Sequence, residues 1–595
     1  MNYCANKRDN LCVGKVYFCV FVFALLSCYQ QAKAETIESL GEIEREVADF
    51  ALAKLDVEME PNPKGKRLRA IRVVNLPVFT EGAGFLEWFN VFHVTTRESI
   101  IAREVLLRPG EIWNEKIIEE TKRGLSDPVF TSAVVVLPIK VEGDEGLVDL
   151  LVGTRDVWSL RVSWNLEFQG SQLTLLQLAP SELNLLGRRK AAQLVFIMTQ
   201  GNINVGPTYE DKNILGRRLQ GSLGARLIYS RARELEGSTS AIEFGRPLFS
   251  LRTKWGFTAK ASHLFSTVRQ FQGTGLRPYD NPDTPEVEAI PWQYRQRNAD
   301  ASLNVTRSFG TYWKHNLTLG YGYSLRRQSL VDGFPNGGIP QGGDVEVARE
   351  AFTRDALPRS ERSSGFNFSY NFFEADFKIY RDLSSFSLAE NFRAGPFATV
   401  SASIANKILG SQRNFALGSV LGGWRFDIKG DGFLRVAFEA STRLQSGEFI
   451  DNSLIASTNL ALPHFWILRP NLRLSAGGRF KEQANRLFAI GGDSGLRGFQ
   501  IGEFVGLKSY TANVELRTLP ITLWRWPVGA TVFWDGGHAA NRVRDLSLRH
   551  NVGIGFRVVF PEFQAGAFRV DWALPLNGGN AGLPGRFSAG FGQVF

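Results

Sequence analysis

From Trp158 onward, apolar and polar side chains alternate along the chain. The first instance covers twelve residues, and its apolar positions are Trp158, Leu160, Val162, Trp164, Leu166 and Phe168. The same alternation returns at residues 510–517, 551–558, 567–574 and 587–595. A period of two places one class of side chain on each face of a β-strand. Sustained over many strands, it predicts an all-β transmembrane barrel, apolar outside and polar inside, closed because hydrocarbon cannot satisfy an open sheet edge.

The predicted barrel spans residues 158–595. At roughly 27 residues for each strand with its connection, it would hold roughly 16 antiparallel strands. Two inserts rich in proline, glycine and aspartate, residues 273–298 and 331–362, are predicted to be long extracellular loops. A short repeat, Asn184–Arg189 and again Asn213–Arg218, is predicted to form periplasmic turns or strand starts.

Residues 1–34 have the features of a secretory signal peptide. Basic residues precede the apolar run 16–27, and Ala32-Lys33-Ala34 is a small-x-small cleavage site. All four cysteines lie within this leader, so cleavage predicts a mature chain without disulfides, thiolate metal sites or cysteine nucleophiles. A lipoprotein signal is the alternative, because Leu25-Leu26-Ser27-Cys28 resembles the sequence around a lipidated cysteine.

Two further segments precede the barrel. Residues 35–65 are predicted to be a helix and a linker, with an apolar stripe formed by Leu40, Ile43, Val47 and Phe50. Residues 66–156 are predicted to be a small α+β domain of order β-α-α-β-β, with strands at 71–74, 129–137 and 147–153. The sequence leaves open whether the helix docks a periplasmic partner or caps this domain.

Composition narrows the class of protein. With 44% hydrophobic and 22% charged residues, the chain is not a disordered or low-complexity protein. Outside the leader, no apolar run reaches the roughly 18 residues that a spanning helix needs, which excludes a polytopic helical membrane protein. The 59 glycines and 45 phenylalanines favour a β-barrel. The formal charge of +10 is a weak bias over this length and, with export, it argues against a nucleic-acid partner.

No enzyme chemistry is predicted. Gly492-Asp493-Ser494-Gly495 matches the nucleophile loop of trypsin-like proteases, but the six histidines are scattered and none stands in the context of a catalytic base. The sequence contains no phosphate-binding P-loop, no His-Glu-x-x-His zinc motif and no Gly-x-Ser-x-Gly hydrolase motif. We therefore expect neither a cofactor nor a metal.

A tetrapeptide in the C-terminal part, Leu496-Arg497-Gly498-Phe499, carries a resemblance to a known family. It matches the Val/Leu-Arg-Gly-Phe/Tyr tip of the sixth extracellular loop in the BamA/TamA-type outer-membrane assembly superfamily, whose barrels are bacterial surface antigen domains. Five strand-like segments follow it, and residues 514–517, 533–537 and 553–557 look like strands of that family. Residues 66–156 look like one POTRA domain, the family's periplasmic module. The single POTRA domain makes the chain resemble the shorter members, and Gln593 stands where an aromatic residue is usual.

The resemblance implies that the arginine-tipped loop folds back into the barrel lumen. A guanidinium confined there stays charged and is costly without an anionic partner. The alternation over residues 528–537 turns Asp535 inward, so we expect Arg497 to pair with Asp535 and, as a second choice, with Glu515. Flanking glycines allow the tight turn that the tip needs: Gly491, Gly492, Gly495 and Gly498.

The resemblance also implies a function, which is to assist the insertion or translocation of client polypeptides at the bacterial outer membrane. A client would add as a strand to an edge of the POTRA domain, along residues 129–137 or 71–74. The first and last barrel strands would meet at a lateral seam, for which the candidate residues are Trp158, Leu160, Gly590, Gly592 and Phe595.

Expected partners are outer-membrane lipids, unfolded or secreted client polypeptides, and periplasmic proteins that contact the POTRA domain. Two other classes of function stay open. The chain could be a passive pore or lipid transporter, because roughly 16 strands can enclose an aqueous channel. It could also be a surface antigen without a transport role, carried by the two long inserts.

Overall fold

The structure, a computed structural model, describes residues 40–79, 88, 93–127, 129–169, 172–272, 275–284, 287–335, 337–340, 343–383, 390–429, 431–524, 526–560, 564–578 and 585–591. The predicted leader and all four cysteines lie outside the described residues. The described chain forms a small α/β unit followed by a closed barrel.

The small unit is a three-stranded sheet with helices on both faces. Its elements are α1 (Glu42–Leu55), β1 (Arg67–Leu76), α2 (Glu98–Ala102), α3 (Glu115–Leu125), β2 (Thr131–Ile139) and β3 (Leu147–Asp156). The sheet order is β1-β3-β2, with β1 parallel and β2 antiparallel to β3. From β1 onward this is the β-α-α-β-β order that the sequence pattern predicts.

Helix α1 covers the face of the sheet that α2 and α3 leave open. Val47, Ala48 and Ala51 are fully buried against strand residues that include Val135 and Leu151. Phe50, which the sequence pattern placed on the packed stripe, is instead half-exposed, because the buried stripe runs through the two alanines. Residues 42–55 therefore cap the sheet.

Within the described residues, twenty antiparallel strands close the barrel. Up to the first insert they are β4 (Leu160–Gln169), β5 (Gln172–Glu182), β6 (Lys190–Thr199), β7 (Asn202–Ile214), β8 (Leu219–Ser230), β9 (Leu235–Arg246) and β10 (Trp255–Arg269). The insert holds the short strands β11 (Phe271–Gln272), β12 (Gly275–Leu276), β13 (Pro278–Tyr279) and β14 (Ile290–Pro291).

The barrel continues with β15 (Gln293–Phe309), β16 (Trp313–Ser329), helix α4 (Val345–Asp355) in the second insert, β17 (Glu361–Glu374), β18 (Asp376–Tyr380), β19 (Glu390–Ala405), β20 (Phe415–Ile428), β21 (Gly432–Gln445), β22 (Glu448–Ala461) and β23 (Leu468–Phe480). The next loop holds β24 (Phe488–Ile490) and β25 (Phe504–Gly506). The last strands are β26 (Lys508–Thr518), β27 (Ile521–Leu523), β28 (Trp526–Ala540), β29 (Arg549–Phe560), β30 (Gln564–Pro575) and β31 (Arg586–Phe591). Strands β17 and β18 act as one interrupted strand, as do β26 and β27, because each pair shares a single neighbour.

The all-β barrel is confirmed, but the predicted count of about 16 strands is wrong. The count assumed connections that are longer than most of those observed. Two residues, Ser446 and Gly447, join β21 to β22, and Gln200 and Gly201 join β6 to β7. Short connections let the same length of chain form more strands.

Side chains sort by alternation between the outer wall and the lumen. Val514 and Ile554 are 44% and 57% exposed on the outer wall. Glu515 and Asn551 lie in the same two strands at positions of opposite parity, and they are almost completely buried on the lumen side. This is the apolar-out, polar-in arrangement of a membrane barrel. Among the described helices, none is both long and apolar enough to cross a membrane.

The rim where β4 begins, next to the small unit, is here called the near rim, and the opposite one the far rim. The repeated segments 184–189 and 213–218 are near-rim turns that contact the small unit. Nδ2 of Asn184 donates to the Val94 carbonyl at 2.9 Å, and Nδ2 of Asn213 donates to Glu104 at 2.5 Å. In both copies the asparagine Oδ1 accepts from a backbone N–H five residues later. The sequence repeat is thus a repeat of structure.

The two long inserts meet at the far rim. Tyr279 and Ile290 of the first insert pack with Phe334 and Phe352 of the second in one buried cluster. The Tyr279 and Phe352 rings lie 5.2 Å apart, edge to face. The inserts therefore form a shared cap on this side of the barrel.

The packing of α1 on the sheet can be tested by substitution at Gly153 of β3. A Cβ added there would lie 2.6 Å from Val135 and 3.0 Å from Val47 of α1. We expect Gly153→Ala to destabilise the small unit by about 1–3 kcal/mol through overpacking. The measurement is the temperature at which a protease cleaves within residues 40–156 of the detergent-solubilised full chain.

Gly124→Ala is the matched control, because Gly124 is an exposed residue of α3 and a Cβ there meets no atom within 4 Å. This change should be neutral or stabilise the helix by about 0.5–1 kcal/mol. Equal cleavage temperatures for the two variants would contradict the packing of α1 on β3.

Candidate functional site: an arginine-tipped loop in the lumen

The loop between β23 and β26 enters the barrel from the far rim. Its two short strands, β24 and β25, pair as a hairpin that carries residues 491–503 inward. Leu496 and Phe499 are fully buried, and they pack with Ile490 and with Ala539 of the barrel wall. Five barrel strands follow the loop, as the sequence predicts. It is the third far-rim loop counted from the C-terminal strand.

Arg497 binds both of the carboxylates that the sequence analysis proposed. Its Nε and Nη2 donate to the two oxygens of Asp535 at 2.9 and 2.8 Å. Its Nη1 donates to Glu515. The guanidinium carbon lies 3.4 Å from the centre of the Phe533 ring. All polar faces of the guanidinium are thereby occupied in a geometry that lysine could not reproduce.

The carboxylates around Arg497 belong to a larger buried network. Asp571 accepts from Arg557 at 2.6 Å and from Arg569 at 2.9 Å, and Glu515 accepts from Arg517 at 2.7 Å. Each of these side chains is at most 9% exposed. Each of these arginines contacts a carboxylate. This pairing compensates the charges that are confined in the lumen.

The network reaches the last strand of the barrel through Arg586 of β31. Its Nη1 donates to the Arg497 carbonyl at 3.1 Å and lies 3.6 Å from Asp493. Asp493 also pairs with Arg569. The loop therefore bonds to residues from β26, β28, β30 and β31. This pairing also gives Asp493 of the protease-like motif a structural role.

Two glycines let the loop lie directly against the wall. Gly495 has φ +105°, and a Cβ there would lie 2.6 Å from Thr511 of β26. A Cβ at Gly498 would lie 2.6 Å from Asn551 of β29. Any larger residue would push the tip away from the carboxylates.

Most residues of the network were not among the predicted site residues. Asp571, Arg557, Arg569, Arg517 and Arg586 all stand on the polar side of the alternation, which was their one visible signal. Alternation gives the face of a strand but not the height of a residue along the barrel, so it could not group them. No set of residues in the described ranges has the composition of a metal site.

A contact path joins the network to the small unit at the near rim. Arg517 of β26 donates to the Leu383 carbonyl at 3.2 Å, which joins the turn after β18 to β26. Two residues earlier, Arg381 donates to Glu44 of α1 at 2.9 Å. The loop tip and the N-terminal helix are therefore linked through one near-rim turn.

The barrel closes where β31 pairs with β4. The described part of this ladder pairs residues 166–169 of β4 with residues 586–589 of β31. Gly590 leaves room for the Asn165 side chain of β4, which a Cβ would strike. The Trp164 and Phe568 rings, 4.9 Å apart, join β4 to β30.

The predicted seam residues are only partly at this junction. Leu160 begins β4 and is 51% exposed, and Gly590 lies in β31, but Gly592 and Phe595 lie outside the described residues. Trp158 was predicted to face lipid in the first strand, and this is wrong. It precedes β4 and is buried, with its ring centre 6.0 Å from that of Phe79 and 6.5 Å from that of His93 of the small unit.

The two proposed strand edges of the small unit differ in access. Along β2, every residue except Ser132 is buried, and residues 58 and 60 bond to its C-terminal end. The start of β1 is bridged by residues 110–113. Residues 71–74 of β1 include the exposed Arg72 and the half-buried Ile71 and Val73, so this edge strand is the more accessible of the two.

No family model and no curated protein matches the chain. Among solved structures it is similar to BamA from Haemophilus ducreyi lacking POTRA domains 1–3, at 15% identity over 89% of this chain and 85% of that one, with a TM-score of 0.35. It is also similar to CdiB from Acinetobacter baumannii (12% identity, 89% and 74% covered, TM-score 0.41) and CdiB from Escherichia coli (13%, 89% and 77%, 0.39). The chain's resemblance to the BamA/TamA-type superfamily is carried by the Leu496–Phe499 motif.

Arg497→Ala should release the loop while the barrel still forms. The change leaves Asp535 buried without its cation and Glu515 with Arg517 alone, which costs about 3–5 kcal/mol for a broken buried pair. We expect faster protease cleavage within residues 488–506 and unchanged heat-modifiable migration of the barrel in gel electrophoresis.

Arg486→Ala is the control, because Arg486 lies in the same loop and pairs with Glu482 near the surface. Arg486 is 48% exposed, and Glu482 also lies near Arg479, so the loss of Arg486 leaves this carboxylate a cation and cleavage should stay near the wild-type rate. Identical cleavage of the two variants would show that Arg497 does not hold the loop.

Proposed function

We propose that this chain is an outer-membrane barrel protein that assists the insertion or translocation of client polypeptides. The supporting observation is the Leu496–Phe499 loop, which lies in the lumen with Arg497 bonded to Asp535 and Glu515. This arrangement agrees with what the family resemblance implies for that motif. The exposed apolar outer wall supports a membrane location.

In this proposal the small unit is a POTRA domain in the periplasm. Its more accessible edge strand, residues 71–74 of β1, would accept an extended client segment by β-augmentation, because an added strand binds to the backbone groups at a sheet edge. Helix α1 covers one face of the sheet, so a client would add at a strand edge and not on that face.

The second part of the proposal is a lateral seam between β4 and β31. Gly590 of β31 contributes no side-chain packing to this junction. A client strand could add to the barrel where β4 separates from β31. Opening would also separate the Trp164 and Phe568 rings.

Depletion of the chain should leave other outer-membrane or surface proteins unassembled. The measurement is quantitative proteomics of outer-membrane fractions, with complementation by wild type, Arg497→Ala and Arg486→Ala. We expect the wild type and Arg486→Ala to restore the proteome and Arg497→Ala to fail. An unchanged proteome after depletion, combined with large single-channel currents from the purified protein, would instead favour a passive pore.

A disulfide across the seam should block the activity reversibly. Leu166 and Ala589 are register partners in β4 and β31, and the native cysteines all lie in the leader. We expect the oxidised Leu166→Cys/Ala589→Cys protein to fail in complementation and to recover when a reductant is added, because the cross-link prevents separation of the strands.

The control places the same cross-link between β28 and β29, at the register partners Val532 and Ile554. Its oxidised form should keep full activity. Equal activity of both oxidised proteins would contradict a lateral gate at β4 and β31.

A further inference from the structure

A basic cleft of about 760 Å³ lies where the small unit meets the near rim. Its walls are the connection between α2 and α3, the turn after β7 and the connection between β9 and β10. One carboxylate, Glu111, lines it against seven cations. Six of the cations are exposed to solvent: Arg103, Arg108, Arg217, Arg246, Arg252 and Lys254.

Across the described residues, none of these six side chains forms an ion pair. The seventh cation, Arg218, differs because it pairs with Glu104 and donates to the Arg103 carbonyl at 2.5 Å. Arg218 thus fastens the turn to the small unit, while the others leave their charge uncompensated. Gathered like charges repel one another, so the cleft attracts an anion.

The cleft continues onto the outer wall of the barrel through Trp255. This residue lines the cleft and is 57% exposed at the start of β10. Its register partner Arg307 stacks on it, with the guanidinium carbon 4.7 Å from the ring centre. Val305, two residues before Arg307, is 44% exposed on the outer wall, so Arg307 faces the same side.

Arg246 also lies on the outer wall. It lies two residues after Phe244, which is 40% exposed there, and it is the register partner of Phe257 in β10. Two guanidiniums and one tryptophan therefore meet at the near rim on the lipid-facing side. Tryptophan is typical of membrane interfaces, and arginine binds phosphate oxygens through paired N–H groups.

We propose that the cleft binds the phosphate headgroup of an anionic phospholipid from the adjoining leaflet. The headgroup would sit among Arg217, Arg246 and Lys254, and the acyl chains would run along the wall beside Trp255. The proposal rests on the proposed function only in requiring that the barrel spans a membrane.

A lipid fits the cleft better than an acidic peptide does. A client bound along β1 would reach the cleft from Ile71, on its small-unit side. It would not meet Arg246 and Arg307 on the outer wall. Leu215, in the turn that carries Arg217, is 78% exposed, and an exposed leucine beside a cation suits an interface with lipid.

The test measures lipid retention by the full chain, purified in detergent and mixed with dioleoylphosphatidylglycerol or dioleoylphosphatidylcholine, using native mass spectrometry. We expect preferential retention of phosphatidylglycerol by the wild type. The triple variant Arg217→Gln/Arg246→Gln/Lys254→Gln should lower that preference about tenfold or more, because each interfacial cation contributes to binding an anionic lipid.

Two controls separate loss of the site from loss of the fold. Arg217→Lys/Arg246→Lys keeps the charges and should keep most of the preference. Arg231→Gln/Arg233→Gln/Arg413→Gln removes three exposed cations at the far rim and should change nothing. Wild-type retention in the near-rim triple variant would overturn the proposal.

Competition identifies the chemistry of the bound anion. Millimolar inorganic phosphate should displace the lipid weakly, because it lacks acyl chains. Full displacement by inorganic phosphate, or by an acidic peptide at equal concentration, would overturn a lipid site in favour of a free-anion or client site. The measurement contains no client, so a negative result leaves the proposed assembly activity intact.

Discussion

The buried Arg497 guanidinium is the constraint on which the site depends. It cannot lose its proton, so a lumen position is tolerable only with anions on each side, and Asp535 and Glu515 supply them. These carboxylates would in turn be costly without cations, which Arg497 and Arg517 provide. The position of the loop, the register of the last strands and the charge balance of the network therefore depend on one another. Removing a single member leaves its direct partners buried with one counter-charge fewer.

The same requirement explains why the network spreads over neighbouring strands. Lumen-facing positions recur every second residue, and adjacent strands bring residues of similar height together. Asp571 on β30 can thus contact Arg557 on β29 and Arg569 on its own strand. A cluster of this kind needs several strands in fixed register, and the ladders of β26 to β31 provide it.

Features that follow from neighbouring residues in the sequence were predictable. Features that depend on contacts between residues far apart in the sequence were not. Alternation predicted the barrel and the inward direction of Asp535 and Glu515, because the face of a strand follows from the parity of a residue. The strand count failed because the lengths of connections such as Ser446–Gly447 leave only a weak pattern. Trp158 continued the alternation by coincidence and belongs to the junction with the small unit, where Phe79 and His93 cover it. Gly590 was predictable as a weak point, but its clearance for Asn165 needed three dimensions.

If the proposed seam between β4 and β31 opens, the network bears on which of its two strands moves. Arg586 ties β31 to the Arg497 carbonyl and to Asp493, so the last strand is held from inside the lumen by the loop. On its other side β31 also pairs with β30 along six residues. Strand β4 pairs with β31 across the seam and contacts β30 through the Trp164 and Phe568 rings. If the barrel opens here while the loop stays bound, β4 must move away from β31 and carry β5 with it, because ten residue pairs join those two strands. The loop thus favours opening in one direction, toward the N-terminal strands and the small unit to which β4 connects.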